Sequence, residues 1–306
     1  MAKFRESISP EPAQAEPSYG PSTSSTTLVA DRAMGDLLRE ARNLSAEQIE
    51  QVVQYQREHH VRFGEAAIAL GFVSANDVLY ALSQQFHYIY APDDLEGVSQ
   101  ELVTLRSPFS PQAESFRGIR SQLMMRVFNE AEPRRALAVV SPNRADGKTF
   151  FSANLGVTLA QLGGRTLVVD ADLRGPRQHE LFGLSNNAGL SGLLSGRVES
   201  QVIQQIQALP SLYVLPVGVT PPNPLELIER PAFSLLVREL LSKFDHVVVD
   251  TPAAVHGADA SALAARCGAA LVLARKDKSR VVALQDLVST LAESPAKLAG
   301  VIMNEF

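Results

Sequence analysis

Residues 141 to 156, SPNRADGKTFFSANLG, place Gly147, Lys148 and Thr149 where a short apolar run gives way to a helical pattern. In that setting the N–H groups of the loop and of the helix start face phosphate oxygens, Lys148 neutralises their charge, and Thr149 offers an oxygen to Mg2+. Gly-Lys-Thr is a common tripeptide, and the strand before it and helix after it are what make it a phosphate loop. Two further runs, LVVDADLR and HVVVDTP, bring Asp170, Asp172 and Asp250 to strand ends. Carboxylates at the C-terminal edge of a parallel sheet point into the crevice where such folds hold ligands. One of the three is needed to help hold Mg2+, and another can accept a hydroxyl proton. Any one of them alone is as readily a cap for the next turn, but all three beside a phosphate loop indicate a Mg-nucleotide site.

The elements that must carry these residues are visible in the apolar patterning. Six short runs, at 136–141, 166–170, 212–217, 246–250, 269–274 and 298–303, are separated by helical segments, and a helix is predicted from about Gln112 to Asn129. Val/Leu/Ile runs that do not alternate with polar residues belong to strands buried on both faces. The expected fold of residues 113–306 is therefore doubly wound α/β with a mainly parallel sheet. Residues 91–112 carry Asp-Asp and Ser-Pro turn signals and are expected to be a linker. Residues 1–30 are rich in Pro, Ser, Glu and Gln and poor in large apolar residues, so a disordered tail is expected.

Between them, residues 31–90 contain an internal duplication. AMGDLLREARNLSAEQIEQVVQYQ and RFGEAAIALGFVSANDVLYALSQQ align with a 29-residue shift, pairing Gly35 with Gly64, Leu44 with Val73, Ser45 with Ser74, Ile49 with Val78 and Gln56 with Gln85. Ser45 and Ser74 have the type and position of helix N-caps. Each copy reads as a short helix, a turn and a longer amphipathic helix, together forming a small, mostly helical domain.

Bulk properties narrow the functional classes. In 306 residues, 45% are hydrophobic and 20% charged, enough for two folded units, one of them large. A net charge of -5 argues against a nucleic-acid partner bound through its phosphate backbone. The single cysteine, Cys267, excludes an internal disulfide framework and reads as a small buried apolar residue. No run approaches the roughly 20 apolar residues of a membrane span, so a cytoplasmic protein is expected, its link to any membrane made through a partner.

The set Ser141 to Thr149, the DxDxR of Asp170, Asp172 and Arg174, Asp250 followed by Thr251 and Pro252, and PPNPLELI at 221–228 resembles the bacterial tyrosine kinases of capsule and exopolysaccharide synthesis, from Glu114 to Asn304. The resemblance is to a P-loop family of the deviant Walker A class. It implies ATP contacts from Ala145, Asp146, Gly147, Lys148, Thr149 and Phe150, with Lys148 on the β and γ phosphates and Asn304 near the adenine. It also implies Mg2+ held by Thr149 with Asp250 and Asp170, Asp170 as base toward the accepting tyrosine, and Asp172 supporting the metal site. Glu114, Arg117 and Arg120 match the ExxRxxR helix through which these kinases assemble, and the implied partner is an inner-membrane polysaccharide chain-length determinant protein.

The match departs from the family pattern at two places. Ala145 stands where relatives have glycine, and an alanine forced into a left-handed backbone costs about 1–2 kcal/mol. The sequence ends at Phe306, directly after the last strand, and its six tyrosines form no terminal cluster of acceptors. A partition or division-site ATPase of the same superfamily is the alternative class, but such proteins carry a lysine where this loop has Asn143. The duplicated segment resembles the N-terminal domain of type II secretion and pilus ATPases, some of which bind cyclic di-GMP. Arg62 and Gly64 fit that pattern in the second copy, whereas the first has Ala33 in place of the arginine.

Overall fold

The computed structural model describes residues 36–38, 44–85, 95, 97–129, 131–197 and 202–305. The expected tail lies outside them. Three N-terminal helices, α1 (Ala46–His59), α2 (Phe63–Ala69) and α3 (Ala75–Gln85), follow the duplication. Ser45 closes a capping box with Gln48, and Ser74 exchanges hydrogen bonds with Asp77 at the start of α3. Positions related by the 29-residue shift are buried in pairs: Leu38 with Ala67, Leu44 with Val73, Val52 with Ala81, all in one small core.

The stretch expected as a linker is, from Val98 onward, folded. Leu102 and Leu105 are buried with the underside of the large sheet, and the short helix α4 (Val103–Arg106) lies against the phosphate-loop helix. Polar turn signals conceal this because the segment is held mainly through its backbone. Thr104 donates its N–H and its hydroxyl to Asn154 Oδ1 at 3.0 and 2.9 Å, and Arg106 donates to the carbonyls of Leu95, Val98 and Ser99. We refer to residues 97–107 as the strap.

After α5 (Pro111–Arg126), the chain alternates as the runs predict: β1 (Ala136–Val140), α6 (Lys148–Ala160), β2 (Thr166–Asp170), α7 (Gln178–Phe182), α8 (Leu190–Leu194), β3 (Gln204–Gln205), β4 (Leu212–Leu215), α9 (Pro224–Glu229), α10 (Pro231–Lys243), β5 (His246–Asp250), α11 (Asp259–Cys267), β6 (Gly268–Arg275), α12 (Val281–Ala292) and β7 (Lys297–Asn304). The sheet order is β3-β4-β2-β5-β1-β6-β7, parallel except for β3, a two-residue edge strand that pairs antiparallel with β4 and carries no sequence signal. Every residue of β1, β2 and β5 is buried. Alternate residues serve opposite faces: Ala138, Val140, Val247 and Val249 pack under α10, α11 and α12, whereas Leu137, Val139 and Val248 pack under α5 and α6. Helix α6 is enclosed by the sheet, α5 and the strap. At Gly156 it approaches β2 so closely that a Cβ would lie 2.3 Å from Val168 Cγ2.

Candidate active site

The loop between β1 and α6 is held as a rigid ring. Asp146 is buried; its Oδ2 accepts from the Asn143 N–H at 2.9 Å and its Oδ1 from the Ser279 hydroxyl at 3.0 Å. Its carbonyl accepts from Asn304 Nδ2 at 3.0 Å, and that of Ala145 accepts from Arg275 Nη1 at 3.0 Å. The ring thus leans on the ends of β6 and β7. Gly147 caps α6 at φ 99°, and a Cβ there would meet Asn304 Nδ2 at 2.3 Å, so both conformation and space demand glycine. No side chain caps α6, which leaves its first N–H groups directed at a ligand. Ala145 adopts φ 60°, the left-handed conformation anticipated as a strain.

Lys148 is buried and donates from Nζ to Ser141 Oγ at 3.1 Å. Burial lowers its pKa, opposed first by the charge of Asp250. Asp170 and Asp250 are direct register partners across β2 and β5 and are fully buried. Burial, and then the neighbouring Asp250 charge, raise the Asp170 pKa well above the ordinary carboxylate range. Its Oδ2 accepts from the N–H groups of Arg177 and Gln178 at 3.0 and 2.9 Å, and its Oδ1 from that of Asp172 at 3.2 Å. Burial raises Asp250 to about 6, against the opposing charge of Lys148 and hydrogen bonds from Thr149 and Gln178. Gln178 Nε2 donates to Asp250 Oδ2 at 3.0 Å and to the Thr149 carbonyl at 3.1 Å.

Two acceptors are left open here. Asp250 Oδ1 and Gln178 Oε1 are buried without a hydrogen-bond partner among the described residues. Buried acceptors are expensive to leave unsatisfied. Beside the Thr149 hydroxyl they make a hard oxygen set of the kind that Mg2+ and its waters take, so the residues present fit that cation.

In front of these groups lies a cavity of about 530 Å3, lined by Arg144, Lys148, Thr149, Asp172, Arg177 and Arg275, among others. An apolar hollow of about 320 Å3 adjoins it, sharing Gln112, Phe150 and Asn304 and walled by Phe116, Ile119 and Ile302. Phosphates suit the first and a flat ring system the second.

Of the residues singled out from sequence, Ala145, Gly147, Lys148, Thr149, Phe150, Asp172 and Asn304 line the cavity, while Asp146, Asp170 and Asp250 stand behind it. Gln178, Glu101, Arg177 and Arg275 were missed. Arg177 and Gln178 lie five and six residues past the end of the DxD motif with nothing in their types to mark them, and Glu101 sits in the segment taken for a linker. On α5, Glu114 is 71% exposed and paired with Arg117 at 2.6 Å. Arg117 also donates to the Pro108 carbonyl at 2.6 Å, and Arg120 Nη1 to the Thr158 carbonyl at 2.8 Å. Neither Arg62 nor Gly64 lines the cavity: Arg62 is exposed, and Gly64 is buried against Val78, where a Cβ would lie 2.6 Å from Cγ1.

The fold and this site define a class. Residues 137–306 match the CobQ/CobB/MinD/ParA nucleotide binding domain family, and the chain belongs to it. Within that family the chain is similar to tyrosine kinases. It is 36% identical to the putative tyrosine-protein kinase CapB of Staphylococcus aureus over 199 residues, covering 65% of this chain and 86% of CapB. It is 31% identical to the putative tyrosine-protein kinase EpsB of Ralstonia solanacearum, covering 67% of this chain but 27% of EpsB. The crystal structure of the chimerical protein CapA2B2 superposes with a TM-score of 0.63 at 32% identity, over 74% of this chain and 98% of that one. The chain is a member of the bacterial tyrosine-protein kinases.

Proposed function

We propose that this chain transfers the γ-phosphate of ATP to protein tyrosines and thereby regulates exopolysaccharide polymerisation, export and chain length. The observation that carries the reading is the buried Asp170–Asp250 pair behind Thr149, with two open acceptors, directly behind a lysine-bearing phosphate loop. Bound Mg2+ would neutralise phosphate charge in the transfer. Thr149 and Asp250 would hold the ion, with Gln178 fixing the Asp250 carboxylate, and Asp172 would support the site from the cavity wall. Lys148 and the α6 N-terminus orient the phosphates; positioning and charge neutralisation supply most of the catalysis in this reaction class. Asp170, whose proton affinity is raised and whose Oδ1 accepts only one hydrogen bond, is the base toward the tyrosine hydroxyl.

The same reading includes an inner-membrane chain-length determinant protein as partner and a peripheral membrane location through it; among the described residues no helix is long and apolar enough to cross a membrane. Self-association would use Glu114, Arg117 and Arg120. All three bind within their own chain, Glu114 through Arg117, and Glu114 at 71% exposed is the most open of them to a neighbour. Residues 31–90 form the separate helical domain of this reading, and cyclic di-GMP at Arg62 and Gly64 is its proposed small-molecule input. The burial of Gly64 under Val78 is accounted for by packing alone. The kinase reading is tested by incubating the protein with γ-labelled Mg-ATP and following phosphotyrosine and free phosphate, with Lys148→Met as control. Lys148-dependent phosphotyrosine is expected. Free phosphate alone, also in the presence of the membrane partner, would replace the kinase with a nucleotide-switch ATPase.

A further inference from the structure

The strap brings a carboxylate to a cavity built for a polyanion. Glu101 lines the same cavity as Lys148, and its carboxylate is ion-paired with the Arg177 guanidinium. Each side chain is near half exposed, 40% for Glu101 and 45% for Arg177. The backbones of both residues are fixed to the site. The N–H of Arg177 donates to Asp170 Oδ2 at 3.0 Å, and the carbonyl of Glu101 accepts from Asn154 Nδ2 on α6 at 2.9 Å. The strap is also pinned to α7, where the Ser99 N–H donates to the Leu181 carbonyl at 2.9 Å and Gly183 at φ 64° lies so near Gly97 that a Cβ would be 2.6 Å from its carbonyl oxygen. Only the two charged tips are therefore free to change partners.

The cations of the cavity are not equivalent. Lys148 is engaged with Ser141 and Arg275 with the Ala145 carbonyl, and Arg144 sits exposed at the cavity's edge, on the phosphate loop itself. Arg177 is held by Glu101 and, more loosely at 3.6 Å, by the exposed Glu180, and such exposed pairs retain their partner by about fivefold or less. A guanidinium binds phosphate oxygens as a fork, and a terminal phosphate carries more charge than one carboxylate. We propose that Arg177 is a contact for the terminal phosphate of the nucleotide, restrained by Glu101 of the strap until that phosphate takes it over. The inference rests on the Mg-ATP reading of the cavity and adds a residue that discriminates triphosphate from diphosphate. It also makes the strap, the segment through which the N-terminal helices join the nucleotide domain, part of the site's electrostatics.

The test is direct binding of Mg-ADP and of a Mg-bound non-hydrolysable ATP analogue to the full chain, followed by calorimetry, with thermal melts confirming that each variant is folded. Glu101→Gln should tighten the triphosphate by about two- to fivefold and leave the diphosphate unchanged. Arg177→Gln should weaken the triphosphate by about tenfold and again spare the diphosphate. The double variant should match Arg177→Gln, because Glu101 acts only through the guanidinium. Equal shifts for both nucleotides in Glu101→Gln, or an unchanged triphosphate-to-diphosphate ratio in Arg177→Gln, would overturn the inference. Lys148→Met in the same assay separates the two levels of the argument. If it binds both nucleotides normally, the site reading itself fails; if it loses them, the outcome rests on Arg177 alone.

Discussion

Ala145 is the residue at which this phosphate loop works against its own chemistry. Its φ of 60° is the left-handed conformation, in which a Cβ crowds the following carbonyl at a cost of about 1–2 kcal/mol. Glycine removes that cost but restores backbone freedom to the unfolded chain, which offsets about 0.4–1 kcal/mol of the gain. The methyl group is exposed, so no packing is lost with it, and the Arg275 bond uses the main-chain carbonyl, which glycine keeps. Ala145→Gly should therefore stabilise the nucleotide-free protein by about 0.5–1 kcal/mol, a rise of about 1–4 °C in Tm for a domain of this size. Thermal unfolding followed by circular dichroism measures it. Two companions sharpen the reading. Ala145→Val should lower Tm, because branching at Cβ worsens the same clash. Asp277→Gly, at φ 59°, should be nearly neutral, because aspartate tolerates the left-handed region better than alanine. If Ala145→Gly were neutral or destabilising while Ala145→Val was harmless, the loop would carry no strain and the argument from φ would be wrong.

The buried carboxylates give a pH signature. Asp250 is raised to about 6 in the folded protein, above its unfolded value, so the folded state holds the proton more tightly, and its contribution to stability is present at acid pH and lost as pH rises through about 6. Mg2+ needs the ionised carboxylate, so Mg-nucleotide affinity should increase over the same interval. Titration from pH 5 to pH 8 should show both trends, and Asp250→Asn should abolish the trend in affinity while leaving in stability only the part due to buried Asp170; a flat profile in the wild type would refute the coupling. Asn154→Ala strips the strap of three hydrogen bonds, two accepted from Thr104 and one donated to Glu101, and α6 of a fourth, donated to the Phe150 carbonyl. It should cost about 2–3 kcal/mol, read as a lowered denaturant midpoint, whereas an unchanged midpoint would show that the strap is not bound as described. Gly64→Ala puts a Cβ 2.6 Å from Val78 Cγ1 and should destabilise the N-terminal helices by about 1–3 kcal/mol, seen as a melt at lower temperature in their helical signal. Pairing it with Val78→Ala should recover most of the loss.

The architecture was legible because its central strands are buried on both faces. Runs such as ALAVV and HVVVD admit no polar face, and once six of them alternate with helices the parallel sheet follows. The 29-residue duplication was legible for a similar reason, since Leu44 and Val73 occupy equivalent buried positions. What could not be read was structure that does not depend on side-chain type. β3 is two glutamines joined to β4 through main-chain bonds, with one residue exposed and the other half-buried. The strap leaves Gly97, Gln100 and Ser107 exposed to solvent while its backbone is tied to Asn154, a residue 50 positions away from Thr104. Local composition reports what faces water, and in both segments the determining contacts face the other way.

The site divides along the same line. Phosphate-loop residues announce themselves because Gly147, Lys148 and Thr149 each have a chemical duty at a fixed spacing. Gln178 does not, although it bridges the Thr149 carbonyl and Asp250. A buried carboxylate beside a cation site has to present one oxygen outward while the other is held, and a neutral amide can hold it without adding a charge that would displace Mg2+. A lysine or arginine at that position would neutralise Asp250 permanently, and an apolar residue would leave a second oxygen unsatisfied at about 1–3 kcal/mol. Glutamine meets both conditions, so its role follows from the two carboxylate oxygens and the carbonyl around it rather than from its own identity. The substitution that separates these effects is Gln178→Leu against Gln178→Glu. The leucine should raise the Asp250 pKa further by removing a hydrogen bond to its ionised form, and the glutamate should do so more strongly through repulsion, each moving the onset of Mg-nucleotide binding to higher pH in that order. If Mg-nucleotide binding began at the same pH in both as in the wild type, Gln178 would be packing only, and the orientation of Asp250 would have to come from Thr149.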